Sequence, residues 1–278
     1  MLKIDGHTHT QFSPQSHDED AELMIQRAIA MGFKEYALME RAPLPAEFAD
    51  QFGGNTELRQ LAAMSMDQVP QYLEYAQSLQ RKYAHQLRIH VGFEVDYLPG
   101  LEGWTINFLN EVGPLTDNNI LALHYLRGRD GKLWALDTTP EDFATGFGDM
   151  LQFPEHLFKS YYSTLLHAVH ADLGVYTPRC VGQMGLVRQF QDYFGLPRTL
   201  TRDCEYLVIR VLHAMHARGA SLEVGVAGLY QEFNNELYPL PWVIDRARRM
   251  GVPLVYGSDA HNVHEVGRGY HAVEALLE

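Results

Sequence analysis

Two rhythms alternate along the chain. Short apolar runs bounded by Gly, Pro or acidic residues are followed by longer stretches whose apolar residues recur three and four apart. Leu2-Lys3-Ile4 opens the series as a strand. Ala21 to Met31 sets Leu23, Met24, Ile25, Ala28 and Ile29 at helical spacing and closes on Gly32. The acidic residues before it favour the positive end of a helix dipole. Tyr36-Ala37-Leu38-Met39 reads as a buried strand ending at Glu40-Arg41. Pro70 to Ala84 predicts a helix with Tyr72, Leu73, Ala76 and Leu79 on one face, and Leu87 to Val95 a strand. The pattern continues with a helix over Trp104 to Val112, a strand from Ile120 to His124, a helix over Phe158 to Leu173 and a short strand at Cys180 to Gln183. Asp203 to Arg218 is helical, Ser221 to Gly225 a strand, Pro241 to Met250 a helix with Pro at its start, and Pro253 to Gly257 the last strand. Tyr270 to Leu277 predicts a final short helix.

Strands alternating with helices predict a parallel sheet. Seven such strands, with no linker, low-complexity tract or internal repeat, point to an α/β fold: a parallel (β/α)7 TIM-like barrel in one domain over residues 1–278. A doubly wound open sheet is the alternative. Residues 47–69 break the pattern with Gly53-Gly54 and Met64-Ser65-Met66. They read as an inserted loop region with short helices over the mouth of the fold. Gly128 to Gly131 reads as a polar turn.

Composition narrows the function. The chain has 278 residues, 46% of them hydrophobic, enough for a barrel-sized core. A formal charge of -13, from Lys+Arg 22 against Asp+Glu 35, argues against a nucleic-acid partner. It leaves room for a small phosphorylated substrate, because bound metal ions reverse the sign locally. Fourteen histidines suit a metal site, whereas Cys180 and Cys204 read as small buried hydrophobes. Met1 to Asp5 shows no apolar leader and no run reaches membrane-spanning length, so a soluble cytoplasmic protein without a membrane partner is expected. Nothing in the sequence specifies an oligomeric state.

The polar residues carry the chemistry. His7 and His9 follow the first predicted strand, Glu40-Arg41 the second, Glu94 the third, His124 the fourth, Gln183 the fifth, and Asp259 with His261 the seventh. In a parallel barrel these ends share one face, where active sites are built. Imidazole with carboxylate is the ligand set of zinc, manganese or iron hydrolases.

The stretches Asp5-Gly6-His7-Thr8-His9-Thr10, Glu40-Arg41-Ala42-Pro43-Leu44, Gly92-Phe93-Glu94-Val95-Asp96-Tyr97, Leu123-His124-Tyr125-Leu126, Ala227-Gly228-Leu229 and Tyr256-Gly257-Ser258-Asp259-Ala260-His261 resemble the polymerase and histidinol phosphatase (PHP) superfamily, especially its histidinol-phosphate phosphatases. The resemblance spans nearly the whole chain. It implies a distorted seven-stranded barrel, up to three divalent metal ions, and hydrolysis of L-histidinol phosphate in histidine biosynthesis. It also implies three ligand groups. The first is His7, His9, Glu94 and Asp259. The second shares Glu94 and adds His124 and position 183. The third is His17, position 41 and His261. Here position 183 is Gln and position 41 is Arg. Gln offers one neutral carbonyl oxygen and Arg is a permanent cation with no acceptor, so fewer than three tightly bound metals are expected. Arg41 fills the space of the third ion or forks onto phosphate, with Glu40 as a partner or spare carboxylate. Asp259 or His261 would assist proton transfer, and Arg188 and Arg268, like Gln183, are candidate substrate contacts. Two other readings stay open: a related phosphoesterase acting on a different small phosphorylated substrate, and a non-catalytic barrel with reduced metal loading.

Overall fold

The computed structural model describes residues 2–16 and 20–278, so His17 lies outside the described residues. Nine strands follow in order: β1 Ile4–Thr8, β2 Glu35–Arg41, β3 Arg88–Asp96, β4 Ile120–Ala122, β5 Tyr125–Arg127, β6 Leu133–Ala135, β7 Cys180–Val181, β8 Ser221–Gly225 and β9 Leu254–Gly257. Seven of them form one sheet in the order β1-β2-β3-β4-β7-β8-β9, and every pairing within it is parallel. Strands that follow one another in this sheet are also neighbours in it, the simplest order for short connections. The sheet curls until β1 meets β9. Closure rests on a parallel bridge between Thr8 and Ala260, with His9 N donating to Ala260 O and Asp259 N to His7 O, each at 2.9 Å. This is the expected seven-stranded barrel.

Helices cover the outside. Val69–Tyr83 packs Tyr72, Leu73, Ala76 and Leu79 inward, and the Tyr72 hydroxyl reaches Leu38 O and Gly92 O at 2.7 Å each, tying the helix to β2 and β3. Pro154–His170 packs against Arg202–Arg218. The barrel interior holds a small cluster of Ala37, Met39, Ile120 and Cys180. These modest side chains form a floor and leave the interior above it to polar groups. No helix among the described residues is long and apolar enough to cross a membrane.

The periodicity missed a hairpin and two helices, one of them the single turn Gln191–Phe194. The turn at Gly128 to Gly131 belongs to an antiparallel hairpin of β5 and β6, and Pro140–Leu151 is a further helix capped by Thr139. The hairpin strands have three residues each, too few for a period to register. The insertion contains helices Phe48–Gln51 and Thr56–Gln60. It docks on the hairpin through Gly53 N to Leu133 O at 2.9 Å. Together they bury their own cluster of Phe48, Phe52, Leu98, Tyr125, Leu133 and Ala135. Phe48 sits edge-on to Tyr125 with ring centroids 4.7 Å apart. Emptying that position leaves a cavity, so Phe48→Ala should lower stability by about 3 kcal/mol in denaturant melts. Hydrogen exchange should rise first across residues 47–69. A melt unchanged within error would show that this second core contributes nothing.

Candidate metal centre

A cleft of about 280 Å³ opens at the C-terminal face of the barrel, lined among others by His9, Arg41, Gln183, Asp259, His261 and Arg268. β2 and β3 pair Arg41 directly with Glu94, which sits two residues inside β3 and not at its end. His124 follows β4, and Gln183 and Asp259 follow β7 and β9. Gln183 and Asp259 both have φ of 53°, the left-handed region that non-glycine residues enter rarely. That backbone turn folds both side chains back over the mouth.

The geometry is that of two oriented imidazoles and a shared carboxylate. His7 Nδ1 lies 2.8 Å from Glu223 Oε1, and His124 Nδ1 lies 2.8 Å from Asp96 Oδ1. A carboxylate can only accept, so each Nδ1–H donates and each Nε2 is left turned toward the position an ion would take. Those two Nε2 atoms lie 3.7 and 3.6 Å from the same oxygen, Glu94 Oε1. His9 Nε2 is 3.1 Å from Asp259 Oδ1, His7 Nε2 is 3.8 Å from it, and His9 Nδ1 is 3.6 Å from Glu40 Oε2. His261 stacks on His9 with ring centroids 4.1 Å apart.

Several buried atoms here have no hydrogen-bond partner: His7 Nε2, His9 Nδ1, Glu40 Oε2, Glu94 Oε1 and His124 Nε2. An unpaired buried polar atom costs ~1–3 kcal/mol, so a cluster of such atoms converging on one point is a liability that a bound cation would relieve. The donor set, imidazole nitrogen with carboxylate oxygen, fits a divalent transition metal. Among the described residues, two groups have donor atoms close enough to hold one ion: His7, His9 and Glu94, all buried, and His9, Asp259 and His261, nearer the opening. His9 and Asp259 therefore link positions that the sequence divides between separate sites.

Charge points the same way. Burial alone disfavours an imidazolium, yet Glu223 and Glu94 push His7 up to about 10, and Asp259 with Glu40 push His9 up to about 9. Carboxylate burial would raise Asp259, but the imidazoles around it hold it well below the usual range. This is a dry pocket rich in carboxylates, whose field favours positive charge. His261 goes the other way. Burial first, then neighbouring His9, hold it down to about 3, and its Nδ1 lies 3.0 Å from Asp259 O. It is a neutral ring whose Nε2 keeps the lone pair.

The remaining expected residues divide. Arg41 turns into the cleft: Nε lies 3.3 Å from Glu94 Oε2, Nη2 2.7 Å from Asp137 Oδ2 and Nη1 3.4 Å from Ala62 O. It thus leans on the carboxylate shared by the first two expected sites, in addition to crowding the third. Glu40 does not pair with Arg41. It accepts from Thr10 N at 2.6 Å and Thr10 Oγ1 at 2.5 Å, because adjacent strand residues point to opposite faces. Gln183 donates Nε2 to Asp259 Oδ2 at 3.1 Å and offers that carboxylate a hydrogen. Arg268 lines the cleft, but its Nε and Nη2 hold Ser258 O and Asp259 O at 2.8 and 2.9 Å, so it braces the Asp259 loop. Arg188 is a correction. It is buried away from the cleft, bonded to Arg198 O and Glu236 Oε2, and does not meet a substrate there. Sequence reasoning missed Glu223, Asp96 and Asp137 as site residues. A carboxylate in the apolar strand Ser221-Leu222-Glu223-Val224-Gly225 was the available signal for Glu223.

Comparison with known proteins follows the same lines. A family model described as PHP domain matches residues 5–226, and one described as PHP-associated matches residues 243–277. The histidinol-phosphatase of Bacillus subtilis is 33% identical over 281 residues, covering 100% of this chain and 99% of that protein. A crystal structure from Listeria monocytogenes, of a protein assigned as a histidinol phosphatase, superposes with a TM-score of 0.92 at 36% identity, covering 97% of this chain and 99% of that one. Histidinol phosphate phosphatase from Lactococcus lactis, solved with zinc, L-histidinol and phosphate, shares the fold with a TM-score of 0.66 at 18% identity, over 99% of this chain and 92% of that one.

A cation entering this pocket must displace the protons that the carboxylates hold on His7 and His9. Both rings are protonated in the ion-free protein below their raised values, so affinity falls as pH falls. Zinc titrations in buffers of different ionisation enthalpy should show release of up to about two protons per ion near pH 7. Affinity independent of pH between about 6 and 8 would rule out both histidines as the displaced groups.

Proposed function

Because the chain belongs to the PHP domain family, we propose that it is a metal-dependent phosphoric monoester hydrolase that converts L-histidinol phosphate and water to L-histidinol and phosphate, a step of histidine biosynthesis. The observation that carries this reading is the cluster of unpaired donor atoms on His7, His9, Glu94 and His124 at the floor of a polar cleft. His7, His9, Glu94 and Asp259 would hold the first ion, with His124 extending the set beyond Glu94. A divalent ion there supplies Lewis acidity toward phosphoryl oxygens and a water of lowered pKa. Zinc is the metal named with the Lactococcus lactis relative, and manganese and iron suit the same donors.

The chain's own groups complete the chemistry. Arg41 presents a guanidinium to the cleft, a fork matched to two phosphate oxygens. Gln183 holds Asp259 in place. His261, neutral with an open Nε2, is placed to add a ligand. Burial excludes bulk water from His7, His9, Glu94 and His124, which strengthens every charge interaction at the phosphorus. We read residues 1–278 as one barrel domain working in the cytoplasm.

Arg41 sets the ion count. A guanidinium and a divalent ion about 6 Å apart repel by roughly 5 kcal/mol at an effective dielectric near 20. With Gln183 unable to donate an imidazole, we place fewer than three ions in the site, the first best occupied. The departures at Arg41 and Gln183 also favour a second reading, a PHP phosphoesterase for another small phosphorylated substrate.

Purified protein loaded with zinc, manganese or iron should release phosphate from L-histidinol phosphate and lose that activity with a chelator. A panel of phosphomonoesters separates the two substrates. No turnover of any of them by metal-loaded protein would leave a barrel without catalysis. Glu94→Gln should lower metal content and turnover more than His261→Ala. Elemental analysis should find fewer than three ions per chain, and the double change Arg41→His with Gln183→His should raise that number. Three ions in the unchanged protein would overturn the role given to Arg41.

A further inference from the structure

One buried carboxylate has no place in the ligand set. Glu223 lies in the middle of β8 and is 2% exposed. Its neighbours Leu222 and Val224 join the hydrophobic core outside the barrel, so strand alternation sends Glu223 into the interior. Both of its oxygens are used. Oε1 lies 2.8 Å from His7 Nδ1, and Oε2 accepts from Gln183 N at 2.8 Å. Gln183, held at a φ of 53°, passes the constraint on by donating Nε2 to Asp259 Oδ2 at 3.1 Å. A single carboxylate therefore reaches the ends of β1 and β7 directly and the end of β9 through one amide.

The barrel makes space for it. A Cβ built on Gly257 would lie 2.0 Å from Glu223 Oε1, and one on Gly182 would lie 2.8 Å from Oε2. Any side chain at either position would push the carboxylate off its partners. Glycines at these two strand ends and a charged residue between them form one arrangement, which a mere plug of the interior would not need.

We infer that Glu223 is the positioning residue of this site: it fixes His7 with Nε2 facing the ion and, through Gln183, sets the angle at which Asp259 closes over it. The inference rests on the metal-hydrolase reading above. A carboxylate on the far nitrogen holds a ligating imidazole in one tautomer and one orientation and raises its basicity. Gln183 then serves as a clamp on Asp259, which gives a structural role to a residue too weak to replace an imidazole as ligand.

The test begins with Glu223→Gln. The two donors, His7 Nδ1–H and Gln183 N–H, face different oxygens of Glu223, and the amide replaces one of them with an NH2 that cannot accept. Competition with a chromophoric chelator should show zinc held about 10- to 100-fold more weakly than in the unchanged protein. Gln183→Asn, which tolerates the left-handed backbone but shortens the reach to Asp259, should weaken zinc by less. A second measurement needs no variant. Nitrogen-15 spectra of the zinc-loaded unchanged protein, labelled at histidine, should show His7 protonated at Nδ1 and zinc-bound at Nε2. A folded Glu223→Gln protein with zinc affinity within about twofold of the original, or His7 bound through Nδ1, overturns the inference. If the unchanged protein binds no zinc, manganese or iron, the metal reading itself falls, and this inference with it.

Discussion

Like charge at close range in a dry interior is the constraint on which this structure turns. Glu40, Glu94 and Glu223 are each 2% exposed or less, and Asp259 joins them at the rim. Carboxylates buried so close together repel strongly unless each is paired. Every neighbouring feature answers that requirement. Thr10 gives Glu40 two donors, His7 and Gln183 satisfy Glu223, His9 and Gln183 meet Asp259, and Arg41 takes one oxygen of Glu94. The other oxygen of Glu94 is left without a hydrogen bond, facing the Nε2 atoms of His7 and His124, and that residue of unpaired charge marks where a cation would sit.

Much of this was legible before the fold was known. Positions of His7, His9, His124, Asp259 and His261 at or near strand ends follow from alternation of short and long apolar periods, with Glu94 two residues inside its strand, and a parallel barrel brings strand ends to one face. What stayed hidden depended on direction. Glu40 and Arg41 are adjacent in sequence, and only the pleat decides that one serves Thr10 and the other Glu94. Glu223 sits in a strand that reads as core, and its partner lies 216 residues away. Arg188 looked like a phosphate contact because a free arginine and a buried one are written alike. Its fate was decided by Glu236 and the carbonyl of Arg198.

The insertion and hairpin add a second scale of organisation. Their shared aromatic core stands apart from the main one, yet Ala62 from the insertion and Asp137 just past the hairpin both hold Arg41. The guanidinium is thus the tie between a separately packed wall of the cleft and the carboxylate at its centre. A change in how that wall packs would be felt at Glu94 without any contact between the two.

The backbone bonds that close the barrel join His7 and His9 to Asp259 and Ala260, almost the full length of the chain apart. A nascent chain emerging from the ribosome carries its first two imidazoles from the outset and their carboxylate partner only near the end. Until β9 arrives, β1 has a free edge and the pocket lacks a side. Assembly of the site therefore coincides with the last long-range step of folding, the slowest kind of contact to form. The inner donors His7, His9 and Glu94 come with β1 and β3, so closure by β9 adds Asp259 and His261 as the outer side of a site already begun.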